Sequence, residues 1–323
     1  MSFHDFRDLL LHLPGLVEKS GEGAAFSALE TALLGLHIRR QALSPDDDRR
    51  EMGEFRGLLL PVIQQCTFCD HVFRKPLGYA GDYLSQEMIW FARTEGSERR
   101  YTGTTALGRL LSSLTFQMAN CQANEARVRT LAHRVRAAGR RLLSVGCGSC
   151  LELWHQPGLA DRELVLLDQD GGALARAREK IDPAIRNVRF EQQNILKFAL
   201  RGAKDTRHAA FDFVYAFGPF DYFDQASAAR LLRGLWSMVA PGGSLLVTNA
   251  HPGNPTRFWM EYGGDWFLRY KDAPAMRELA AGLPAVEQTD LSLDAQGVYQ
   301  FLELKKAGVR MEATLPAPAA RRM

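Results

Sequence analysis

Two glycines and an acid are spaced to hold a nucleotide-like ligand. Gly146-Cys147-Gly148-Ser149-Cys150-Leu151 follows the apolar stretch Leu142 to Val145, and Asp168 closes the next one, Leu164 to Leu167. Glycines let backbone approach a ligand closely, and an aspartate can accept two hydrogen bonds from ribose hydroxyls. Further along stand groups that could move a proton: Asp221 and Tyr222 after Phe211 to Ala216, and His251, with Asn249, after Ser244 to Thr248. A third set, Tyr79, Asp82 and Tyr83, lies in Arg74-Lys75-Pro76-Leu77-Gly78-Tyr79-Ala80-Gly81-Asp82-Tyr83. Two Gly, a Pro and two Tyr suit no regular element there, so this segment is expected to be a lid or a link.

Other chemistries fit less well. Two Cys-x-x-Cys pairs, Cys66/Cys69 and Cys147/Cys150, have the spacing of zinc half-sites, but the second lies inside the glycine loop; no metal is expected. With Cys121 they make an odd count of five, against a secreted disulfide framework. The 40 Lys+Arg and 37 Asp+Glu leave a net charge of +3, too balanced for a dedicated nucleic-acid or membrane-surface binder. The start, with an acid, a His and an Arg before Leu9 to Leu13, does not read as a signal peptide, and Pro14-Gly15 ends that apolar stretch. No apolar run approaches the roughly 20 residues a membrane span needs, so a cytoplasmic protein is expected.

The elements that must position these residues follow from periodicity. Ser44 as N-cap, Pro45 at N1, three aspartates and Phe55, Leu58, Leu59, Val62 and Ile63 predict an amphipathic helix of about five turns. Phe26 to Ala42 and Thr105 to Gln117 read as further helices, so 1–120 is expected to be a helical cap. From about Asn124, Val128, Leu131, Ala132 and Val135 share a helical face, leaving Arg127, Arg129, Arg134 and Arg136 mostly off it as a solvated basic face or, as the lesser alternative, a contact for nucleic acid or an acidic ligand. After Arg141 short apolar strands alternate with helices: Leu142 to Val145, a glycine loop and helix, Leu164 to Leu167, the helix Gly172 to Lys180, Val188 to Gln192, Phe211 to Ala216, the helix Ala226 to Val239, and Ser244 to Thr248. This predicts an α/β fold with a doubly wound, mostly parallel sheet over 121–310. Val286 to Leu293 and Val298 to Leu304 flank the turn Asp294 to Gly297 as an antiparallel hairpin, and 311–323 is expected to be a flexible tail.

Ligands of such sheets bind where strand one meets its loop. A dinucleotide loop wants a third glycine so that pyrophosphate reaches the helix N-terminus, but Leu151 stands there; S-adenosylmethionine (SAM) has no phosphate and needs none.

On these residues the chain resembles the class I SAM-dependent methyltransferases over roughly 120–306. Leu142-Leu143-Ser144-Val145-Gly146-Cys147-Gly148-Ser149 is similar to their first motif, Leu167-Asp168 to the second, and Ala240-Pro241-Gly242-Gly243-Ser244-Leu245 to the turn entering strand five. The resemblance implies a seven-stranded Rossmann-like sheet with SAM as cofactor. It implies cofactor contacts from Gly146, Cys147, Gly148, Asp168, Gln169, Asn194, Ile195, Phe217 and Gly218. Ser144 stands where the family usually has an acid and Cys150 where it often has Gly. Glu152 is then either a substitute for that acid or a solvated first-turn glutamate favoured by the helix dipole.

A narrower resemblance rests on Arg74 to Tyr83, Gly218-Pro219-Phe220-Asp221-Tyr222, Asn249-Ala250-His251-Pro252-Gly253-Asn254-Pro255 and Asp265-Trp266. These are similar to a bacterial methyltransferase subgroup with a helical N-terminal region, which includes proteins like the 3-hydroxypalmitate methyl ester synthases. It implies a small-molecule acceptor met by Arg74, Tyr79, Asp82, Tyr83, Phe220, Asn249 and Trp266. Carboxyl O-methylation needs no base; an amine or phenol would need one, from His251 or Asp221 first, then Tyr79 or Tyr222. N-methylation of a small amine, or SAM binding without catalysis, are the alternatives. Nucleic-acid methylation fits poorly, because Phe217-Gly218-Pro219-Phe220 lacks the Asp/Asn-Pro-Pro-aromatic pattern after strand four.

Overall fold

Four short apolar stretches, buried on both faces, assemble side by side in parallel, and the half-exposed Asn187–Gln192 joins them at the edge. The computed structural model describes residues 1–308 apart from 96–99, 155, 157 and 203–209; the expected tail 311–323 lies outside them. The strands are β1 (Arg141–Val145), β2 (Glu163–Asp168), β3 (Asn187–Gln192), β4 (Phe211–Ala216), β5 (Val239–Ala250), β6 (Val286–Leu293) and β7 (Tyr299–Lys306). They form a seven-stranded sheet in the order β3-β2-β1-β4-β5-β7-β6, in which β7 runs antiparallel to both β5 and β6. The doubly wound Rossmann-like sheet and its terminal hairpin are as expected. Order reverses between β1 and β4, so the loops after those two strands face one crevice.

The N-terminal third is helical: α1 (Phe3–Ser20), α2 (Glu22–Gln41), α3 (Pro45–Ile63), α4 (Thr67–Arg74), α5 (Tyr83–Thr94) and α6 (Ala106–Gln117) precede α7 (Ala119–Ala137), which leads into β1. Ser44 accepts from Asp47 N and starts α3 as its sequence predicts, with Phe55, Leu59, Val62 and Ile63 buried. Pro14 ends nothing: α1 continues through it to Ser20, with Phe6, Leu10 and Leu13 keeping one buried face.

A larger departure follows β1. A helix is expected after the glycine loop; instead Leu151–Leu153 forms one 3₁₀ turn, and Trp154 then bridges to Ile181. Cys150 takes the left-handed conformation (φ 56°), Trp154 Nε1 donates to Ser149 O at 2.7 Å, and Pro157-Gly158 follows in sequence. The chain therefore folds back on itself where a helix would need continuous αR geometry.

The helical third is not packed alone. Its apolar core contains Phe258, Trp259, Met260, Tyr262 and Trp266, which lie after β5, together with Val298 and Tyr299. Phe55 is the hub, meeting Phe3, Phe258 and Tyr262 edge to face at 5.4–5.5 Å between ring centroids. Such pairs add about 0.5–1.5 kcal/mol each beyond area burial. The sheet has separate apolar layers on its two faces. Among the described residues no helix is long and apolar enough to cross a membrane.

Candidate active site

The carboxyl ends of β1, β2 and β4 open into a cavity of about 720 Å³, roofed by Tyr79, Gly81 and Tyr83. This is within the usual ~300–1,000 Å³ of small-molecule sites. Gly146 N and Cys147 N both donate to Leu167 O, turning the chain sharply off β1. Gly146 (φ 67°) and Gly148 (φ 54°) hold left-handed conformations, and a side chain at Gly146 would collide with the Pro219 ring. Gly146 therefore requires glycine, and the left-handed backbone at Gly148 favours it.

Asp168, at the end of β2, accepts from Gly148 N (2.8 Å) and Asp170 N (2.9 Å). Burial pushes its carboxyl up, and those amides pull the other way. Each oxygen retains lone-pair capacity for a ribose hydroxyl. Glu152 is no solvated glutamate. It is buried on the cavity wall, Tyr215 Oη donates to its Oε1 at 3.0 Å, and burial raises it to about 7. Asn194 caps the helix α8 (Ile195–Arg201) by accepting from Lys197 N, leaving its amide NH₂ for the cavity, with Ile195 and Gln169 beside it. Cys147, Phe217 and Gly218 complete this wall. Glu152 and Asp168 offer acceptors for an ammonium and for hydroxyls, and Ile195 and Phe217 an apolar shelf for a purine; the set suits SAM.

The other half of the cavity is aromatic: Tyr79, Tyr222, Trp266 and Tyr299, with Asp221 and Arg127 among them. Tyr79 and Tyr222 meet edge to face at 6.1 Å. Burial pushes both phenols far above their usual range. Gly81 lets the roof come down: a Cβ there would lie 2.6 Å from Tyr222 Oη and 2.7 Å from Trp266 Cζ2. Asp221 Oδ1 accepts from Ala250 N (2.7 Å) and Asn249 Nδ2 (3.1 Å), and burial raises its carboxyl to about 6 against the pull of Arg127, Ala250 N and Lys271.

Several expected site residues stand elsewhere. His251 is outside the cavity wall; its Nδ1 accepts from Gly253 N and its N–H donates to Val298 O, because the chain turns there after β5. Arg74 is exposed at the end of α4 and pairs with Asp70. Asp82 is fully buried as the N-cap of α5, its carboxylate taken up by Ser85 N and His71 Nε2. Phe220 packs in the sheet core rather than facing the cavity, and Asn249 acts behind Asp221 through Phe220 O and Asp221 Oδ1. Cys66 and Cys69 are buried around the start of α4, where Cys66 Sγ accepts from Cys69 N.

The residue most plainly missed is Arg127. It is 8% exposed, not solvated. Asn124, Arg127, Leu131 and Val135 fall at i, i+3, i+7 and i+11, one helical face, and that arithmetic places Arg127 inward.

The roof is tied down from two sides. Lys75, left-handed (φ 51°) at the end of α4, pairs with Asp265, itself left-handed (φ 49°), and Arg56 Nη2 reaches the same carboxylate at 2.6 Å. Burial would raise Asp265, but the Lys75 and Arg56 hydrogen bonds prevail and hold it below the usual range. Trp266 is the next residue.

Residues 142–243 match the family model of a methyltransferase domain. With a Rossmann-like sheet and this cavity, the match defines an enzyme, a methyltransferase that uses SAM as cofactor. Among solved structures, a possible exported protein from Bordetella parapertussis shares the fold, at 14% identity over 83% of this chain and 100% of that one (TM-score 0.53). The SAM-dependent methyltransferase SibL is 16% identical over 94% of this chain and 96% of its own (TM-score 0.49). Magnesium protoporphyrin IX methyltransferase from Synechocystis PCC 6803, solved with SAM bound, is 13% identical over 70% and 98% (TM-score 0.43). No curated protein sequence matches the chain.

Proposed function

We propose that the protein methylates the carboxylate of a small molecule, a hydroxy fatty acid or related metabolite, to give its methyl ester. The observation that carries this reading is the state of the groups that could serve as a base. His251 is outside the cavity, and Tyr79 and Tyr222 carry phenols whose protons are held more tightly than in water. An acceptor that is already an anion at neutral pH suits such a site, because no proton has to leave it.

When bound, SAM supplies an electrophilic methyl group: a carboxylate oxygen pair forms the new O–CH₃ bond, the CH₃–S pair leaves with sulfur, and no proton moves. The chain's own residues hold and align. Gly146, Gly148, Asp168, Gln169, Asn194 and Ile195 are the cofactor half in this reading, with Glu152 facing the methionine ammonium. Tyr79, Gly81, Tyr83, Tyr222 and Trp266 close over the acceptor and exclude water, and alignment supplies much of the rate. Residues 1–120 form the cap and 121–310 the catalytic domain. Five free thiols favour a reducing compartment, the cytoplasm.

A second reading has support in Asp221, whose buried carboxylate on the acceptor wall could take a proton from an amine. The two separate cleanly. Incubation with methyl-labelled SAM and a panel of hydroxy acids and amines should label the acids, and mild alkali should release the label as methanol. Label found on amines alone, stable to alkali, rejects the ester reading.

A further inference from the structure

The acceptor half of the cavity contains a cation that no carboxylate pairs with directly among the described residues, although Asp221 on the same wall feels its charge from a longer distance. Arg127 Nη2 donates to Asn124 Oδ1 at 2.6 Å, and its guanidinium carbon stands 4.1 Å from the Tyr299 ring centroid. Asn124 is itself fixed, donating to Asn120 O at 2.8 Å and to Tyr299 Oη at 3.3 Å. Nη1 is buried with no hydrogen-bond partner, and Arg127 joins no ion pair among the described residues. Other arginines of the same helix behave differently: Arg129 pairs with Glu125 and Arg134 with Glu303, both at 2.9 Å.

A second buried donor lines the same chamber. Trp266 is 4% exposed, and its Nε1 is close enough to the Tyr222 hydroxyl to loosen that phenol's proton but does not reach full hydrogen-bond geometry with it. Leaving a buried guanidinium without a hydrogen-bonded anion is costly, and a planar fork held from one side is the arrangement that receives a carboxylate. Both the acceptor and the methionine end of SAM carry one. The sheet order favours the acceptor: Asp168 and Asn194 lie toward β2 and β3, whereas Arg127 rests on Tyr299 of β7, beyond β5 on the opposite side of β1.

We propose that Arg127 Nη1, with Trp266 Nε1, is the subsite that binds the acceptor's carboxylate and selects acids over neutral or basic analogues. This rests on the ester-forming reading above. It adds a consequence: methylation removes the charge that Arg127 holds, so the ester is bound more weakly than the acid and leaves.

The test is calorimetry on the full chain with S-adenosylhomocysteine present, titrating 3-hydroxydecanoate, benzoate and their methyl esters into wild type, Arg127→Gln, Arg127→Lys and Trp266→Phe. At least one acid should bind wild type about 10- to 100-fold more tightly than its ester, the range of a charge-assisted hydrogen bond. Arg127→Gln should erase that preference, Arg127→Lys restore part of it, and Trp266→Phe weaken acid binding by a smaller factor. SAM affinity, measured alongside, should stay within about twofold in all variants, which also shows that they are folded. If Arg127→Gln keeps the preference for acid over ester, the subsite is wrong while a carboxylate acceptor stands. If it instead costs SAM more than tenfold, Arg127 belongs to the cofactor and the proposal fails. If wild type binds SAM but none of the acids, both the subsite and the ester reading fall and the methyltransferase remains.

Discussion

The Tyr215 hydroxyl donates to Glu152 Oε1 at 3.0 Å, and both side chains are buried on the wall of the cofactor cavity. Burial lifts the Glu152 carboxyl from an ordinary 4.5 to about 7, so the folded protein holds this proton more tightly than the unfolded chain. The stability it contributes is complete below about pH 4.5 and is lost as pH rises through about 7. A cationic ammonium wants the ionised form. SAM affinity should therefore rise between pH 6 and 8, and in Glu152→Gln the affinity should be lower and its pH dependence flatter. Cys147, Cys150 and Asp168 share the wall, all pushed upward by burial, so the difference between wild type and variant isolates Glu152. Equal slopes by calorimetry at three pH values would remove Glu152 from the cofactor site.

Asp168 supports the glycine loop through Gly148 N and faces the cavity. Asp168→Ala should weaken SAM about 10- to 100-fold, the worth of one or two hydrogen bonds to a charged acceptor. Asp168→Asn should retain part of the loop support and lose less. Unchanged affinity in the alanine variant would mean that the cofactor lies elsewhere in the cavity.

Gly81 is the point where the roof touches the aromatic wall. Gly81→Val would put side chain into Tyr222 Oη and the Trp266 ring, an overpacking that costs about 1–3 kcal/mol. The expected result is a sharp drop in kcat/KM for the acceptor with SAM binding nearly intact. A matching loss of SAM affinity would show that roof and cofactor loop move together.

Phe55 joins the helical cap to the segment after β5. Phe55→Ala should lower stability by about 3–5 kcal/mol, read as a shift in the urea midpoint. Cavity formation at so buried a hub cannot be relieved by solvent, since Phe55 has no exposed surface.

Much of the sheet was legible in its sequence because its signals are local. Apolar stretches, the glycine pair and an acid at each turn are neighbours along the chain, and Phe211 to Ala216 and Val286 to Leu293 form strands with the expected bounds. The turn after Cys150 was not legible: a single left-handed Cys150 and a tryptophan bonding back to Ser149 outweigh helical periodicity, and neither shows in composition. The site divided in the same way. Gly146, Gly148, Asp168 and Tyr79 reach the cavity from local motifs, whereas Asp82 and Asn249 are spent on His71 and Asp221, which only the folded chain brings near, and the His251 ring turns back on Gly253. Arg127 was hidden by its company of arginines, since net helical charge conceals which single residue turns inward.

The aromatic core that Phe55 organises also carries Trp266, while the glycine loop and Asp168 belong to the sheet. In the proposed reading, the donor of the methyl group and its recipient are thus gripped by parts of the molecule with different interiors. Substitutions in the helical part can retune which recipient is accepted, leaving the grip on the donor untouched, and a lineage of such proteins could diversify its products by changing only one half.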